Sequence, residues 1–210
     1  MKKILICDDH KIVRDGLLQI LMTMPGTNLI EEAGTAREAL NLIQGSHFDL
    51  LILDISLPDR CGLEVLQLVK EKSPLTNVLM LSMHPQEQYA IRALKLGASG
   101  YLSKNAASGE LLIAIERISE NGSYISKALA ENLARNVVKK DINRLKHEYL
   151  SGREFEIMLK LANGKTLKDI GEELFISNKT VGTYRSRVME KMDLKNNTDL
   201  TKYCIENKLI

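Results

Sequence analysis

The chain reads as an α/β fold, a doubly wound parallel sheet built from five βα units, followed by a smaller all-α unit. Two patterns predict this. Short apolar runs alternate with amphipathic stretches through residues 3–120, and beyond them strand-like runs vanish while helix start and stop signals continue. Composition agrees: 210 residues, 44% hydrophobic and 27% charged, can bury two ordinary cores and are too apolar for a disordered chain.

The strands are expected at 3–7, 28–32, 49–53, 77–81 and 100–102, and the helices between and after them at 11–22, 36–44, 63–71, 87–96 and 109–120. Runs such as Ile4-Leu5-Ile6-Cys7 and Leu50-Leu51-Ile52-Leu53 are continuous rather than alternating, as parallel strands covered on both faces require. From Ser126 to about His147 the pattern is helical and charged, with Lys139-Lys140-Asp141. The expected organisation is therefore a first domain over 1–121, a partly helical linker over 122–147 and a second domain over 148–210. In that second domain Ser151-Gly152-Arg153-Glu154 forms a capping box that opens a helix to Ala162, and Asn163-Gly164 stops it. Helices at 167–174, 179–192 and 198–206 complete a four-helix unit.

Asp8 and Asp9 end the first apolar run and Asp54 ends the third. All three carboxylates then meet at the carboxyl edge of the sheet, where ligands of such folds bind. Packed like charges repel unless a cation neutralises them, and hard oxygen donors in an open cluster suit Mg²⁺. The fourth and fifth runs end at Ser82 and Lys104, which add a hydroxyl and an ammonium. Phosphorylating a carboxylate needs a screening metal and fixed donors for the transferred oxygens. Asp8 and Asp9 would hold Mg²⁺, Asp54 would attack, and Ser82 and Lys104 would grip the phosphoryl group. Singly, each has a plainer role: a helix cap, a turn hydroxyl, a solvated charge. Their joint placement at successive strand ends carries the reading. Pro58 and Gly62 read as shapers of the loop after Asp54.

These motifs resemble a response-regulator receiver domain over residues 1–120. The matching segments are Cys7-Asp8-Asp9-His10, Leu53-Asp54 through Pro58 to Gly62, Leu81-Ser82, and Gly97-Ala98-Ser99-Gly100-Tyr101-Leu102-Ser103-Lys104. The resemblance implies a flavodoxin-like (βα)5 fold, a sensor histidine kinase as phosphoryl donor and an acyl phosphate on Asp54. It also implies Mg²⁺ held by Asp8, Asp9, Asp54 and the Ser56 backbone carbonyl, and a Ser82/Tyr101 switch. Asn105 stands where many receivers have proline, so the loop after Lys104 is expected to differ.

In the second domain, Leu167 to Leu174, a tight turn at Phe175-Ile176-Ser177 and a helix from Asn178 onward make a helix-turn-helix pattern. Ile170, Leu174, Ile176, Val181, Val188 and Met192 are spaced to pack its helices together. Residues 178–191 carry four basic residues, Lys179, Arg185, Arg187 and Lys191, against one acid, Glu190. Neutralising phosphates drives DNA affinity, and a helix N-terminus adds partial positive charge. Leu150-Ser151-Gly152-Arg153-Glu154, Ala162 through Ile170, Ile176-Ser177, Thr180-Val181 and Lys191-Met192 resemble a LuxR-type DNA-binding domain. With the receiver, the resemblance is to NarL/FixJ-type response regulators. The expected contacts to double-stranded DNA are Lys165, Thr166, Asn178, Lys179, Thr180, Thr183, Arg185, Ser186, Arg187 and Lys191. Gly182 replaces a lysine usual in the family, and Tyr184 a frequent histidine.

Paired helix-turn-helix modules call for two copies on symmetric half-sites, so an active homodimer is expected. The stripe Leu200, Tyr203 and Cys204 is read either as part of that contact or as packing within the domain. Net charge of +2 neither demands nor excludes nucleic acid. Cys7, Cys61 and Cys204 are odd in number and scattered, reading as reduced thiols. The apolar run after Met1-Lys2-Lys3 stops after four residues, and no segment is long enough to span a bilayer, so a cytoplasmic protein is expected. The rival class is a phosphohydrolase with an aspartyl nucleophile. Such enzymes place two aspartates two apart after the first strand, whereas here Asp8 and Asp9 are adjacent.

Overall fold

Five parallel strands pair in the order β2-β1-β3-β4-β5, the doubly wound arrangement expected from the sequence. They are β1 (Lys2–Cys7), β2 (Thr27–Ala33), β3 (Leu50–Asp54), β4 (Asn77–Ser82) and β5 (Gly100–Ser103). The helices between and after them are α1 (Lys11–Met22), α2 (Ala36–Gly45), α3 (Gly62–Lys72), α4 (Glu87–Lys95) and α5 (Ser108–Asn121). The computed structural model describes residues 2–83, 87–104, 108–126, 130 and 145–210. The chain divides into two compact units, Met1–Lys139 and Lys140–Ile210.

Strand side chains alternate between two buried layers. Ile4, Ile6, Ile52, Leu79, Leu81 and Leu102 meet Leu17 and Leu21 of α1 and Leu111, Ala114, Ile115 and Ile118 of α5. Leu5, Leu51, Leu53, Val78 and Met80 are fully buried on the opposite side of the pleat, where α3 contributes Val65, Leu66 and Val69. Truncating any one of the large side chains to Ala would cost about 2–5 kcal/mol, which explains why the central strand β3 admits no polar residue before Asp54. β2 runs a residue beyond the expected span at each side; its half-exposed Glu31 pairs with Lys3 at 2.9 Å, as suits an edge strand.

Past α5, Tyr124 returns to the sheet. Its N–H donates to the Ser99 carbonyl at 2.7 Å, it bridges Gly100 in parallel, and its ring joins the core beside α1 and α5. The helical character expected within the linker falls mostly on 127–129 and 131–144, outside the described residues.

The second unit holds a 3-10 turn (Lys146–Tyr149) and four helices, α6 (Gly152–Ala162), α7 (Leu167–Glu173), α8 (Asn178–Met192) and α9 (Asn197–Glu206). Capping boxes at Ser151/Glu154 and Thr166/Asp169 open α6 and α7, and Ser177 and Asn196 cap α8 and α9. All four stop in one way: Gly164, Phe175, Asp193 and Lys208 turn left-handed, and the next residue's N–H reaches back to Lys160, Gly171, Met189 and Cys204. Arg153, buried, pairs with Glu156 at 2.9 Å and donates to the Leu174 carbonyl at 3.1 Å, tying α6 to the end of α7. Among the described residues no helix is long and apolar enough to cross a membrane.

Candidate functional sites

Strand register assembles the first site. Cys7 lies opposite Leu53, Leu53 opposite Met80 and Met80 opposite Tyr101, so the residues that follow converge at one edge of the sheet. Asp8 and Asp54 are 1% and 2% exposed there. The Lys104 ammonium bridges them, 2.6 Å from Asp8 Oδ2 and 2.7 Å from Asp54 Oδ2. Ser56 donates its backbone N–H to the Asp54 carboxylate. Asp8 Oδ1 accepts from the His10 backbone N–H at 2.9 Å, and Arg14 donates to the Asp8 carbonyl at 2.7 Å. Asp9 Oδ1 lies 2.7 Å from His10 Nδ1.

One ammonium does not balance these carboxylates. Burial pushes the Asp54 carboxyl up to about 6, with Asp8 adding repulsion that Lys104 offsets only in part. Burial also works against the charge on Lys104, yet Asp54 and Asp8 together hold its ammonium above the usual range. Asp8, Asp9, His10 and Asp54 each place a ligand atom within 4.8 Å of the others. Asp8 Oδ2 and Asp9 Oδ1 are buried with lone pairs to spare beyond their contacts to Lys104 and His10, so the residues present fit a metal ion.

Ser82 is 1% exposed, and its side chain hydrogen-bonds the hydroxyl of Tyr101. Burial raises the Tyr101 phenol to about 12, so this hydroxyl keeps its proton at neutral pH. Asn105 and the loop expected to differ there lie outside the described residues. Two other supports of the edge were not singled out from sequence. Asp59 accepts from the N–H groups of Ala36 and Arg37 at 2.9 and 3.0 Å, joining the loop after Asp54 to the start of α2. Arg14, one turn into α1, also pairs with Glu32 at 3.0 Å.

The second site is α8. Lys179, Thr183, Ser186 and Arg187 are exposed and, at four- and three-residue spacings, share one face, while Val181, Val188 and Met192 are buried on the other. Asn178 and Thr180 occupy the first turn, where Thr180 receives the Ser177 cap at 3.1 Å. Arg185 turns to Asn197 at 2.9 Å, and Lys191 pairs with Glu154 at 2.7 Å. Thr166 caps α7, and Lys165 pairs with Glu173. Gly171 was missed by the sequence reading. A side-chain carbon there would fall 2.8 Å from both Asn178 Oδ1 and the Ile176 carbonyl, so only glycine lets α7 and α8 meet this closely. A glycine inside a seven-residue helix was the available signal.

Comparison with known proteins places both sites in a family. Residues 4–116 match the model described as response regulator receiver domain, and residues 148–204 that of bacterial regulatory proteins, luxR family. Oxygen regulatory protein NreC of Staphylococcus haemolyticus is 34% identical over 99% of each chain. Response regulator UvrY of Escherichia coli K12 is 30% identical over 100% of this chain and 96% of its own. A LuxR-family two-component response regulator from Aurantimonas superposes with a TM-score of 0.60 at 31% identity, covering 66% of this chain and 99% of that one. RcsB of Salmonella enterica serovar Typhimurium, solved bound to promoter rprA in the presence of the phosphomimetic BeF3-, shares the fold at TM-score 0.62 and 24% identity over 97% and 98% of the two chains. The chain belongs to the two-component response regulators that join a receiver domain to a LuxR-type helix-turn-helix domain, the NarL/FixJ type.

Proposed function

We propose that Asp54 accepts a phosphoryl group from the phosphohistidine of a sensor kinase and that this controls dimerisation and DNA binding by α8. The observation that carries the reading is the Lys104 ammonium shared between two buried carboxylates at the mouth of the sheet. A carboxylate oxygen of Asp54 attacks phosphorus, the P–N bond breaks, and its electron pair leaves on the kinase imidazole. Asp8, Asp9, Asp54 and the Ser56 carbonyl would hold Mg²⁺, which when bound screens the nucleophile from the phosphoryl oxygens. Lys104 is already within reach of those oxygens. Ser82 can grip one only by loosening its bond to Tyr101, which makes that pair the switch. The receiver promotes its own phosphorylation and hydrolysis and is otherwise no enzyme.

The DNA contacts are assigned to Lys179, Thr183, Ser186 and Arg187 on the outer face of α8. Asn178 and Thr180 lie at its first turn, Lys165 and Thr166 at the start of α7, and Arg185 and Lys191 at the flanks. Double-stranded DNA, the kinase and a second copy are the partners, in the cytoplasm, and the boundaries are a receiver over 1–121, a linker and a DNA-binding domain over 148–210. The RcsB promoter complex with a phosphomimetic supports this by analogy of fold.

Incubation with Mg²⁺ and a small phosphodonor should add a single base-labile phosphoryl group, located by mass spectrometry at Asp54. Asp54→Ala should gain none. A label elsewhere on the unmutated chain overturns the assignment.

A further inference from the structure

The outer face of α8 has a gap at its centre. Gly182 is half-exposed, its backbone is helical, and a side-chain carbon built on it would meet nothing within 4 Å. Neither packing nor backbone conformation calls for glycine, the least favourable residue in a helix interior after proline. Gly16 and Gly109 are open in the same way, so openness alone decides nothing. What sets Gly182 apart is its neighbours. Thr183 Oγ1 donates to the Lys179 carbonyl at 3.0 Å, and Ser186 Oγ donates to the Gly182 carbonyl at 3.1 Å. Both hydroxyl protons are spent on the helix itself, which leaves the patch without a side-chain donor. It offers bare backbone carbon, a threonine methyl group and hydroxyl lone pairs, between the exposed cations Lys179 and Arg187.

We propose that Gly182 is a specificity-determining residue: it lets the α8 backbone press against the floor of the major groove, where the notch it leaves receives a thymine methyl group. This rests on the DNA-binding reading of α8. The thymine methyl is the one apolar group on the major-groove edge, so the bare backbone carbon and the threonine methyl favour it, and no hydroxyl proton is left to meet a purine acceptor instead. Any side chain at 182 would hold the helix away from the base edges. Arg187 and Lys179 then grip phosphates on either side, a contact that carries no sequence information.

The test uses the full-length protein with phosphodonor. A preferred duplex is selected from a random pool, and affinities are measured for it, for a scrambled duplex, and for the preferred duplex with each thymine in turn replaced by deoxyuridine. Gly182→Ala should melt no lower than wild type and bind scrambled DNA equally well, yet lose about tenfold on the preferred duplex. At one position deoxyuridine should weaken wild type several-fold and leave Gly182→Ala unaffected. Equal binding of the preferred duplex by wild type and Gly182→Ala overturns the proposal, as does indifference of wild type to every deoxyuridine. Arg187→Ala should weaken both preferred and scrambled duplexes. If it weakens neither, the assignment of α8 to DNA fails and takes this inference with it; if it weakens both while Gly182→Ala binds like wild type, only the inference at Gly182 fails.

Discussion

Gly62 packs directly on the backbone of Asp54. A side-chain carbon at 62 would collide with the Asp54 carbonyl oxygen and fall 2.8 Å from Ile55 Cα. Gly62 also donates its N–H to the Ile55 carbonyl at 2.7 Å, and Ser56 bridges Cys61 just beyond. The start of α3 therefore presses on the strand end that presents the carboxylate. Gly62→Ala should destabilise the first unit by about 1–3 kcal/mol, since the obstacle is backbone that cannot rotate aside. Phosphoryl labelling should slow with it, and thermal melts and timed mass spectrometry read the two effects.

The acidic edge makes stability depend on pH in an uncommon direction. Burial raises Asp54 from an ordinary 3.8 to about 6 in the folded chain, so folding favours its protonated form. That contribution is complete below about pH 4 and is lost as pH rises through about 6. With chelator present, Asp54→Asn should gain on the order of 2 kcal/mol over wild type near neutral pH, the advantage shrinking toward about pH 4. Urea melts at several pH values measure this. Mg²⁺ should narrow the neutral-pH gap, because a cation stabilises the ionised carboxylate; a gap that Mg²⁺ leaves unchanged would argue against metal at Asp54.

The sheet and the four strand ends that carry the site were legible because β1, β3, β4 and β5 read as apolar runs, and a charge or hydroxyl stands where such a run leaves the core. Asp8, Asp54, Ser82 and Lys104 follow that rule. Contacts that depend on tertiary packing were not legible. Asp59 caps a helix 22 and 23 residues away, and the single bridge from Tyr124 to Gly100 has no periodicity to announce it. Helix ends split along the same line. Asn163-Gly164 signals a stop, but Phe175, Asp193 and Lys208 adopt the same left-handed turn without glycine. Threonines at helix starts are ambiguous by nature: of the two read as DNA contacts, Thr166 caps α7 and Thr180, in the first turn of α8, donates its N–H to the Ser177 cap.

Phe175 concentrates two costs at the turn between α7 and α8. It is 72% exposed, and its φ of 53° is one that a side chain disfavours. Phe175→Gly should therefore stabilise the second unit, by up to about 1 kcal/mol after the greater entropy of glycine in the unfolded chain is set against the relieved strain. Denaturant melts check it, and a loss of more than about 1 kcal/mol would mean that the ring packs in solution.

The apolar stripe of α9 lies mostly in the domain core, with Tyr203 partly exposed at its edge. Leu200 and Cys204 are fully buried. The Tyr203 hydroxyl accepts from the His147 N–H at 3.3 Å and lies 3.0 Å from His147 Nδ1, with the rings edge to face. Tyr203→Phe should remove the hydroxyl that meets the His147 N–H and Nδ1 and lower stability by about 1 kcal/mol, without a selective effect on paired binding. Ile205, 60% exposed on the same helix, is the better probe of a dimer contact. Ile205→Glu should melt like wild type and bind a single half-site unchanged, while losing cooperativity on a two-half-site operator. Unchanged cooperativity would move the proposed contact between copies away from α9.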